Sequence, residues 1–356
     1  MSQTDRFTVA VVGATGVVGR TMVQVLQERG FPIRELRLLA SGRSAGRTVS
    51  AAGRTLEVGE AVPEAFDGVD IALFSAGADV STTLAPAAAA RGATVIDNSS
   101  AWRMDPTVPL VVSQVNPGDL EWHEGIVANP NCSTMQLVPV LMALRDTVGL
   151  DRVVVDTYQS VSGTGADALA ELEGQIQAHV RGEPKTAAVY PHPIAFNALP
   201  EIDVFLDNGY TKEEWKVVTE SRKILHLPDL HLSCTAVRIP VFVSHSEAVH
   251  VETTRPITPE AARGLFAKVP GVVVQDDPAG HVYPLATTAA GRDEIFVGRV
   301  RQDPSIDAGR GLALWVVSDN LRKGAATNAV EIAEALVARD WVRARSRRAG
   351  PVGAPA

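Results

Sequence analysis

Two cysteines in 356 residues leave no room for a disulfide framework or a thiolate-built metal centre. Cys132 and Cys234 could close a single bridge. A chain of this length does not need one, so two free thiols in a reducing cytoplasm are expected. There is no Cys-x-x-Cys and no other metal-ligand spacing, so no metal is expected. No apolar run reaches the length of a bilayer span, and Met1–Arg6 is too short and polar for a signal peptide. Net positive charge is lacking as well. The formal net charge of −8 argues against general nucleic-acid binding, and any anion site has to be assembled from a few local cations. Internal repeats are absent. What remains is 46% hydrophobic and 21% charged, an ordinary soluble globular composition and long enough for two domains with real cores.

The N-terminal pattern is that of a dinucleotide fold. Phe7–Val12 predicts a strand, Gly13-Ala-Thr-Gly-Val-Val-Gly19 a tight turn, and Met22, Val25 and Leu26 one face of a helix that Gly30 ends. A second strand is expected at Leu36–Ala40. This β–turn–α–β unit places a helix N-terminus and backbone N–H groups against a pyrophosphate. The spacing is G-x-x-G-x-x-G, not G-x-G-x-x-G, so its position between strand and helix carries the reading. After the second strand an NAD site usually has an acid for the ribose 2′-hydroxyl. Here Ala40 is followed by Ser41-Gly-Arg43-Ser44, and an arginine between two hydroxyls predicts a 2′-phosphate and therefore NADP. Val69–Gly77 is a further strand ending in small residues, Ser75 among them. Val80–Arg91 is a crossover helix and Ala93–Asp97 the next strand. Arg103, in the loop that follows, is a candidate anion ligand.

Gly125–Thr134 combines an apolar run, Asn129-Pro-Asn131, and then Cys132 immediately before a helical pattern of Met135, Val138, Leu141, Met142 and Leu144. A cysteine at a helix N-terminus meets unpaired N–H groups and the positive end of the macrodipole, which favour the thiolate and make it a nucleophile. Beyond this helix the pattern alternates. Arg152–Gln159 predicts a strand of a largely antiparallel sheet, followed by a Ser/Gly loop through Ser162 and Gly163 and a helix with Leu169, Leu172, Ile176 and Val180 on one face. Pro184–Pro200 is expected to be irregular. Thr211–Leu225 is a helix opened by a Thr211/Glu214 capping box, and on spacing alone its Glu220 and Lys223 are a surface ion pair. Ala236–Phe242 and Ala248–Thr253 are strands joined by a turn holding His245. Cys234 is expected to be a structural strand residue. Leu312–Val317 is the last strand, Ala325 to about Val342 the last helix, and Arg343–Ala356 a disordered tail.

A cysteine nucleophile beside a nicotinamide site suggests aldehyde oxidation through a thioester, with phosphate as the acyl acceptor where cations hold it. At this point Gly13–Gly19, Asn129-Pro-Asn-Cys132-Ser-Thr, Tyr158-Gln159-Ser-Val-Ser-Gly163, Arg238-Ile-Pro-Val, His245-Ser-Glu247 and Asp319-Asn-Leu-Arg-Lys-Gly-Ala-Ala326 together resemble the aspartate-β-semialdehyde dehydrogenase family, in order from about residue 8 to residue 340. The resemblance implies an α/β protein with a Rossmann-type NADP-binding domain, residues 1–131 completed by a helix at 321–342. It also implies an α+β catalytic and dimerisation domain, 132–320, with a mostly antiparallel sheet. It implies reversible conversion of 4-phospho-L-aspartate to L-aspartate 4-semialdehyde with release of phosphate, a step toward lysine, diaminopimelate, threonine, methionine and isoleucine. By the same resemblance Cys132 is the nucleophile, and His245 is the acid/base that takes the thiol proton and assists the tetrahedral oxygen. Gln159 orients the acyl group, Arg238 clamps the α-carboxylate and Glu220 pairs with the ammonium. Arg103, Lys223 and Asn131 hold phosphate. Gly13, Thr15, Gly16, Val17, Val18, Ser41, Arg43, Ser44, Ser75, Ser162, Gly163 and Asn320 contact NADP. A cytoplasmic homodimer or homotetramer built on the second domain's sheet is implied too. The alternatives are N-acetyl-γ-glutamyl-phosphate reductase, whose substrate has no free ammonium for Glu220, the more distant glyceraldehyde-3-phosphate dehydrogenase, and a non-catalytic NADP-binding paralogue.

Overall fold

The computed structural model describes residues 6–51, 54–344 and 346. The expected tail therefore lies, except for 343, 344 and 346, outside the described residues. The described chain up to Pro130 and from Ala325 onward packs as one compact unit, and Asn131–Gly324 as another.

The first unit contains β1 (Phe7–Val12), α1 (Val17–Glu28), β2 (Ile33–Ala40), β3 (Thr48–Ala51), β4 (Arg54–Glu60), β5 (Ile71–Phe74), α2 (Ala78–Ala90), β6 (Thr94–Asp97) and β7 (Ile126–Ala128). They form a seven-stranded sheet in the order β3-β4-β2-β1-β5-β6-β7. Every pairing is parallel except the β3–β4 hairpin. The order turns back at β1, which leaves a crevice at the strand C-termini for a ligand. Buried on both faces, β5 is an unbroken apolar run and β1 and β6 are apolar apart from Thr8, Thr94 and Asp97, as parallel strands mostly are. The hairpin β3–β4 was not foreseen, because its strands are mostly polar, with Val49, Leu56 and Val58 their main apolar positions. The C-terminal helix also differs from its expected extent. A π-helical stretch, Arg322–Thr327, precedes an α-helix of only Asn328–Ala338. Ala329, Val330, Ile332, Ala333 and Leu336 of that helix join the core formed by Val9, Met22 and Leu26.

The second unit opens with α3 (Cys132–Val148) and continues through β8 (Leu150–Gln159), α4 (Ala166–Val180), α5 (Lys212–Ile224), β9 (His231–Arg238), β10 (His245–Thr253), α6 (Pro259–Phe266), β11 (Val272–Val274), β12 (Ile295–Gln302) and β13 (Gly311–Ser318). The six-stranded sheet runs β11-β12-β13-β10-β8-β9. Its central pairings are antiparallel and its two edge pairings, β11–β12 and β8–β9, parallel. Alternation along β8 and β10 sends Val153, Val155, Thr157, Gln159, His245, Glu247, Val249 and Val251 to one buried face. Helix α3 packs on that face and is buried nearly all round, as expected of a helix that is apolar on every side. Cys234 is buried in β9, and burial together with nearby carboxylates pushes its thiol pKa well up, in keeping with an inert structural thiol. In α4, Val180 is 80% exposed and does not belong to the buried face assigned to it, which Ala168 and Leu172 carry instead.

Candidate active site

In the first unit the glycine turn is shaped by close approach. Gly13 has φ +82°, and a Cβ on it would lie 2.7 Å from the Ser75 carbonyl oxygen. A Cβ on Gly19 would lie 2.2 Å from the Gly13 carbonyl oxygen. Gly16 is the N-cap of α1 and supplies no side-chain cap, so the helix opening at Val17 and Val18 presents backbone donors to an anion. These features fit a dinucleotide pyrophosphate. After β2, the Ser44 N–H donates to the Ser41 carbonyl at 2.8 Å, closing a turn that holds Arg43 exposed. The fold adds an acid that the sequence had not placed there. At the end of β4, Glu60 Oε1 is 2.8 Å from where a Gly42 Cβ would stand. Further along, Arg103 is buried, its Nε donating to the Asn129 carbonyl at 3.0 Å and its Nη2 to the Asn98 carbonyl at 2.9 Å.

In the second unit Cys132 is the first residue of α3, partly exposed, with Asn131 as N-cap. Asn131 Oδ1 accepts from the backbone N–H groups of Ser133 (2.9 Å) and Thr134 (3.3 Å). Two donors expected to face a thiolate are thus taken by the cap. The Asn131 N–H donates to Glu220 Oε2 at 2.6 Å, and Asn131 Nδ2 donates to Glu213 Oε1 at 2.8 Å. Glu220 is 1% exposed. The surface ion pair read from its spacing with Lys223 is therefore corrected: α5 turns Glu220 inward, toward the start of α3.

The same Glu213 oxygen accepts from Gln159 Nε2 at 3.1 Å, while Gln159 Oε1 accepts from the Thr157 hydroxyl at 3.0 Å. Burial opposes ionisation of Glu213, but Lys216 and the two amide donors outweigh it and bring its pKa to about 2. Gln159 pairs in register with Arg238 across β8–β9. Arg238 is buried and donates from Nη1 to the Ser160 carbonyl at 2.7 Å.

His245 is not in a turn. It is the first residue of β10 and fully buried. Its Nδ1 accepts the Ser160 N–H at 3.0 Å, and burial, with Arg238 nearby, lowers its pKa to about 3. The ring is therefore neutral, and a nitrogen that accepts an N–H bears no proton, so the proton sits on Nε2. Nε2 has no hydrogen-bond partner among the described residues. It lies beside Gly163, where a Cβ would stand 3.3 Å from Nε2 and 3.0 Å from Arg238 Nη1. Asn320 Oδ1 ties these loops together, accepting from Ser160 Oγ (3.1 Å), Ser162 Oγ (3.0 Å) and the Ser244 N–H (2.9 Å). Gly324 lies close against Cys132, since a Cβ there would stand 2.9 Å from Cys132 Cβ.

Cys132, Asn131, Gln159, Glu220, Arg238, His245, Ser162, Gly163 and Asn320 therefore share one connected neighbourhood. Lys223 lies on the same helix as Glu220 and is half-buried. Gly13, Thr15, Gly16, Val17, Val18, Ser41, Arg43, Ser44, Ser75 and Arg103 belong to the other unit. Sequence reasoning missed Glu213, although two helical turns separate it from Glu220 and put both on the buried face of α5. It also missed the Ser160 backbone donor, which no side-chain pattern could reveal.

Residues 8–123 match the family model described as semialdehyde dehydrogenase, NAD binding domain, and residues 141–323 match semialdehyde dehydrogenase, dimerisation domain. The aspartate-semialdehyde dehydrogenase of Aquifex aeolicus (strain VF5) is 54% identical over 93% of this chain and 98% of its own length. That of Bacillus subtilis (strain 168) is 52% identical over 92% of this chain and 96% of its own. The crystal structure of aspartate semialdehyde dehydrogenase II complexed with ASA from Vibrio cholerae superposes with a TM-score of 0.90 at 48% identity, covering 94% of this chain and 98% of that one. With a nicotinamide-binding unit, a cysteine-headed helix and both family models matched, the chain belongs to the aspartate-semialdehyde dehydrogenase family.

Proposed function

We propose that this enzyme interconverts 4-phospho-L-aspartate and L-aspartate 4-semialdehyde, with NADP in preference to NAD, as a cytoplasmic homodimer or homotetramer. The observation that carries the reading is the hydrogen bonding from the Cys132 cap through Glu213 to Gln159 and, from its chain neighbour Ser160, to His245, with Arg238 bonded to Ser160 and Glu220 to Asn131. The Cys132 thiolate attacks the acyl carbon, the bond to the phosphate oxygen breaks, and phosphate leaves with the electron pair. The nicotinamide supplies or accepts the hydride. Gln159 holds the acyl group, and the Nε2–H of His245 donates to the tetrahedral oxygen. Collapse of that species breaks the carbon–sulfur bond and returns the thiolate, and the one proton that the reductive direction consumes is taken up from solvent by the departing phosphate. This geometry does not suit His245 to taking the thiol proton, because Nδ1 is already an acceptor. Arg238 clamps the substrate α-carboxylate and Glu220 pairs with its ammonium, while Arg103, Lys223 and Asn131 hold phosphate. In the first unit Gly13 and Thr15–Val18 take the pyrophosphate, Arg43 with Ser41 and Ser44 the 2′-phosphate, and Ser75 the crevice side of the cofactor, with Ser162, Gly163 and Asn320 contributing from the second.

Assembly through the outer face of the second sheet is supported by its surface. Tyr158 and Trp315 meet there in a tilted pair, ring centroids 5.3 Å apart, and Trp315 and Ala248 line a groove of about 420 Å³. No helix among the described residues is long and apolar enough to cross a membrane.

The test is oxidation of L-aspartate 4-semialdehyde with NADP, with and without phosphate, beside N-acetylglutamate semialdehyde. Phosphate-dependent turnover of the first alone is expected. Turnover of the second alone would overturn the substrate assignment, and turnover of neither would overturn the catalytic reading.

A further inference from the structure

Building on the proposed roles of Cys132 and Asn320, we propose that Asp293, on a loop remote in sequence from both, is a positioning residue that acts through Arg322 on the turn 319–324. That turn carries Asn320, whose Oδ1 gathers Ser160, Ser162 and Ser244, and it ends at Gly324, close against Cys132. Its shape is set locally. The Gly324 N–H donates to the Asp319 carbonyl at 3.1 Å, and Asp319 Oδ1 accepts from the N–H groups of Leu321 (2.8 Å) and Arg322 (3.0 Å). Its place is fixed against loop 290–294, which precedes β12, by contacts in both directions. Asp319 Oδ2 accepts the Gly291 N–H at 2.7 Å. Arg322 returns a fork to Asp293, Nε to Oδ1 at 2.9 Å and Nη2 to Oδ2 at 3.0 Å. A planar guanidinium bonded to both oxygens of a carboxylate resists sliding as well as separation. Arg322 is 8% exposed, so water replaces a missing acceptor poorly. The neighbouring pair in the same loop is of the opposite kind. Arg292 reaches only Glu294, two residues on, and both side chains are well exposed, so it ties the loop to nothing outside itself.

Four variants separate positioning from general support. Asp293→Ala removes the acceptors, and Arg322→Lys keeps the charge without the fork. Each is expected to lower kcat about tenfold with KM little changed, because the reacting atoms are misplaced while the substrate contacts remain. Asp293→Asn keeps the shape and one acceptor, so a loss of about two- to threefold is expected. Arg292→Gln breaks only the exposed pair and should keep kcat within about twofold. The double variant Asp293→Ala/Arg322→Lys should lose no more than the worse single one, since both remove the same contact. The rate of Cys132 alkylation by iodoacetamide against pH, measured without substrate, is expected to change severalfold in Asp293→Ala and Arg322→Lys and to stay in place in Arg292→Gln. Cys234, buried in β9, leaves Cys132 as the thiol that is read. Losses that multiply in the double variant, or a loss in Arg292→Gln equal to that in Asp293→Ala, would overturn the proposal. So would wild-type alkylation in both Asp293→Asn and Arg322→Lys, a comparison that holds even where Asp293→Ala does not fold. Because alkylation needs no turnover, it reads Asp293 even if the substrate assignment fails.

Discussion

Gly324→Ala tests how closely the nucleophile is confined. The added Cβ would stand 2.9 Å from Cys132 Cβ and 3.3 Å from Cys132 Cα, with Asn320 Cβ at 3.6 Å. Carbon atoms rest at about 3.5–4.0 Å, so Cys132 or the turn at Gly324 must give by roughly 0.6–1.1 Å. Neither yields easily. Cys132 heads a helix whose cap is fixed by Glu213 and Glu220, and Gly324 lies in the π-helical stretch Arg322–Thr327. Overpacking of this kind costs about 1–3 kcal/mol of stability, or a few degrees in Tm for a protein of this size. A displacement approaching 1 Å at a reacting atom costs on the order of a hundredfold in rate. The expected result is a folded protein with a modestly lower Tm, cofactor affinity near wild type and kcat down by one to two orders of magnitude. Steady-state kinetics with cofactor titration and thermal unfolding would read all three. Wild-type kcat in a variant that folds normally would refute the argument that the 319–324 turn sets the position of Cys132.

Cys132→Ala is expected to abolish turnover while leaving cofactor binding intact, as measured by equilibrium titration; substantial remaining turnover would remove Cys132 as nucleophile. Arg43→Ala should raise KM for NADPH about tenfold and barely change NADH use, whereas Glu60→Gln, which removes the carboxylate beside the turn, should shift preference further toward NADPH; equal effects on both cofactors would refute the 2′-phosphate reading. His245 has its folded pKa lowered from 6.5 to about 3. Its contribution to stability is therefore present above pH 6.5 and lost as pH falls toward 3, and His245→Asn should flatten that part of the urea-unfolding profile relative to wild type. Glu247 is fully buried, both carboxylate oxygens lack a hydrogen-bond partner among the described residues, and burial raises its pKa well above 4.5 despite Gln136. Its contribution is present below its unfolded pKa and lost as pH rises, so Glu247→Gln should raise Tm by a few degrees at about pH 8 and change little at about pH 4.

The first sheet was legible because parallel strands buried on both faces are predominantly apolar and their turns must be small. The glycine turn, β1, α1 and the crossover α2 follow from that. The hairpin β3–β4 was not legible, and with it went Glu60, an acid that reaches the cofactor-selecting turn from a strand rather than from the loop itself. In the second unit Cys132 declared itself through the helix pattern behind it, while Glu220 looked like a surface residue, because spacing tells which residues share a helix face but not what covers that face. His245 was misplaced for a related reason. Ser244 has φ +79°, a conformation serine rarely signals, and it lets the strand begin one residue after the turn, at the histidine. Contacts made by backbone atoms, such as Ser160 to His245, leave no mark on side-chain patterns at all.

The alternation of β8 and β10 has a practical consequence for handling the enzyme. Gln159 and His245 point to the buried face that α3 covers, but their immediate neighbours Tyr158 and Ser246 point the other way, as do Asp156, Ala248 and His250. A fluorophore, spin label or surface tether placed at Asp156 or His250 would therefore report on that opposite face, one residue along the strand from buried positions yet a full sheet thickness from the thiol.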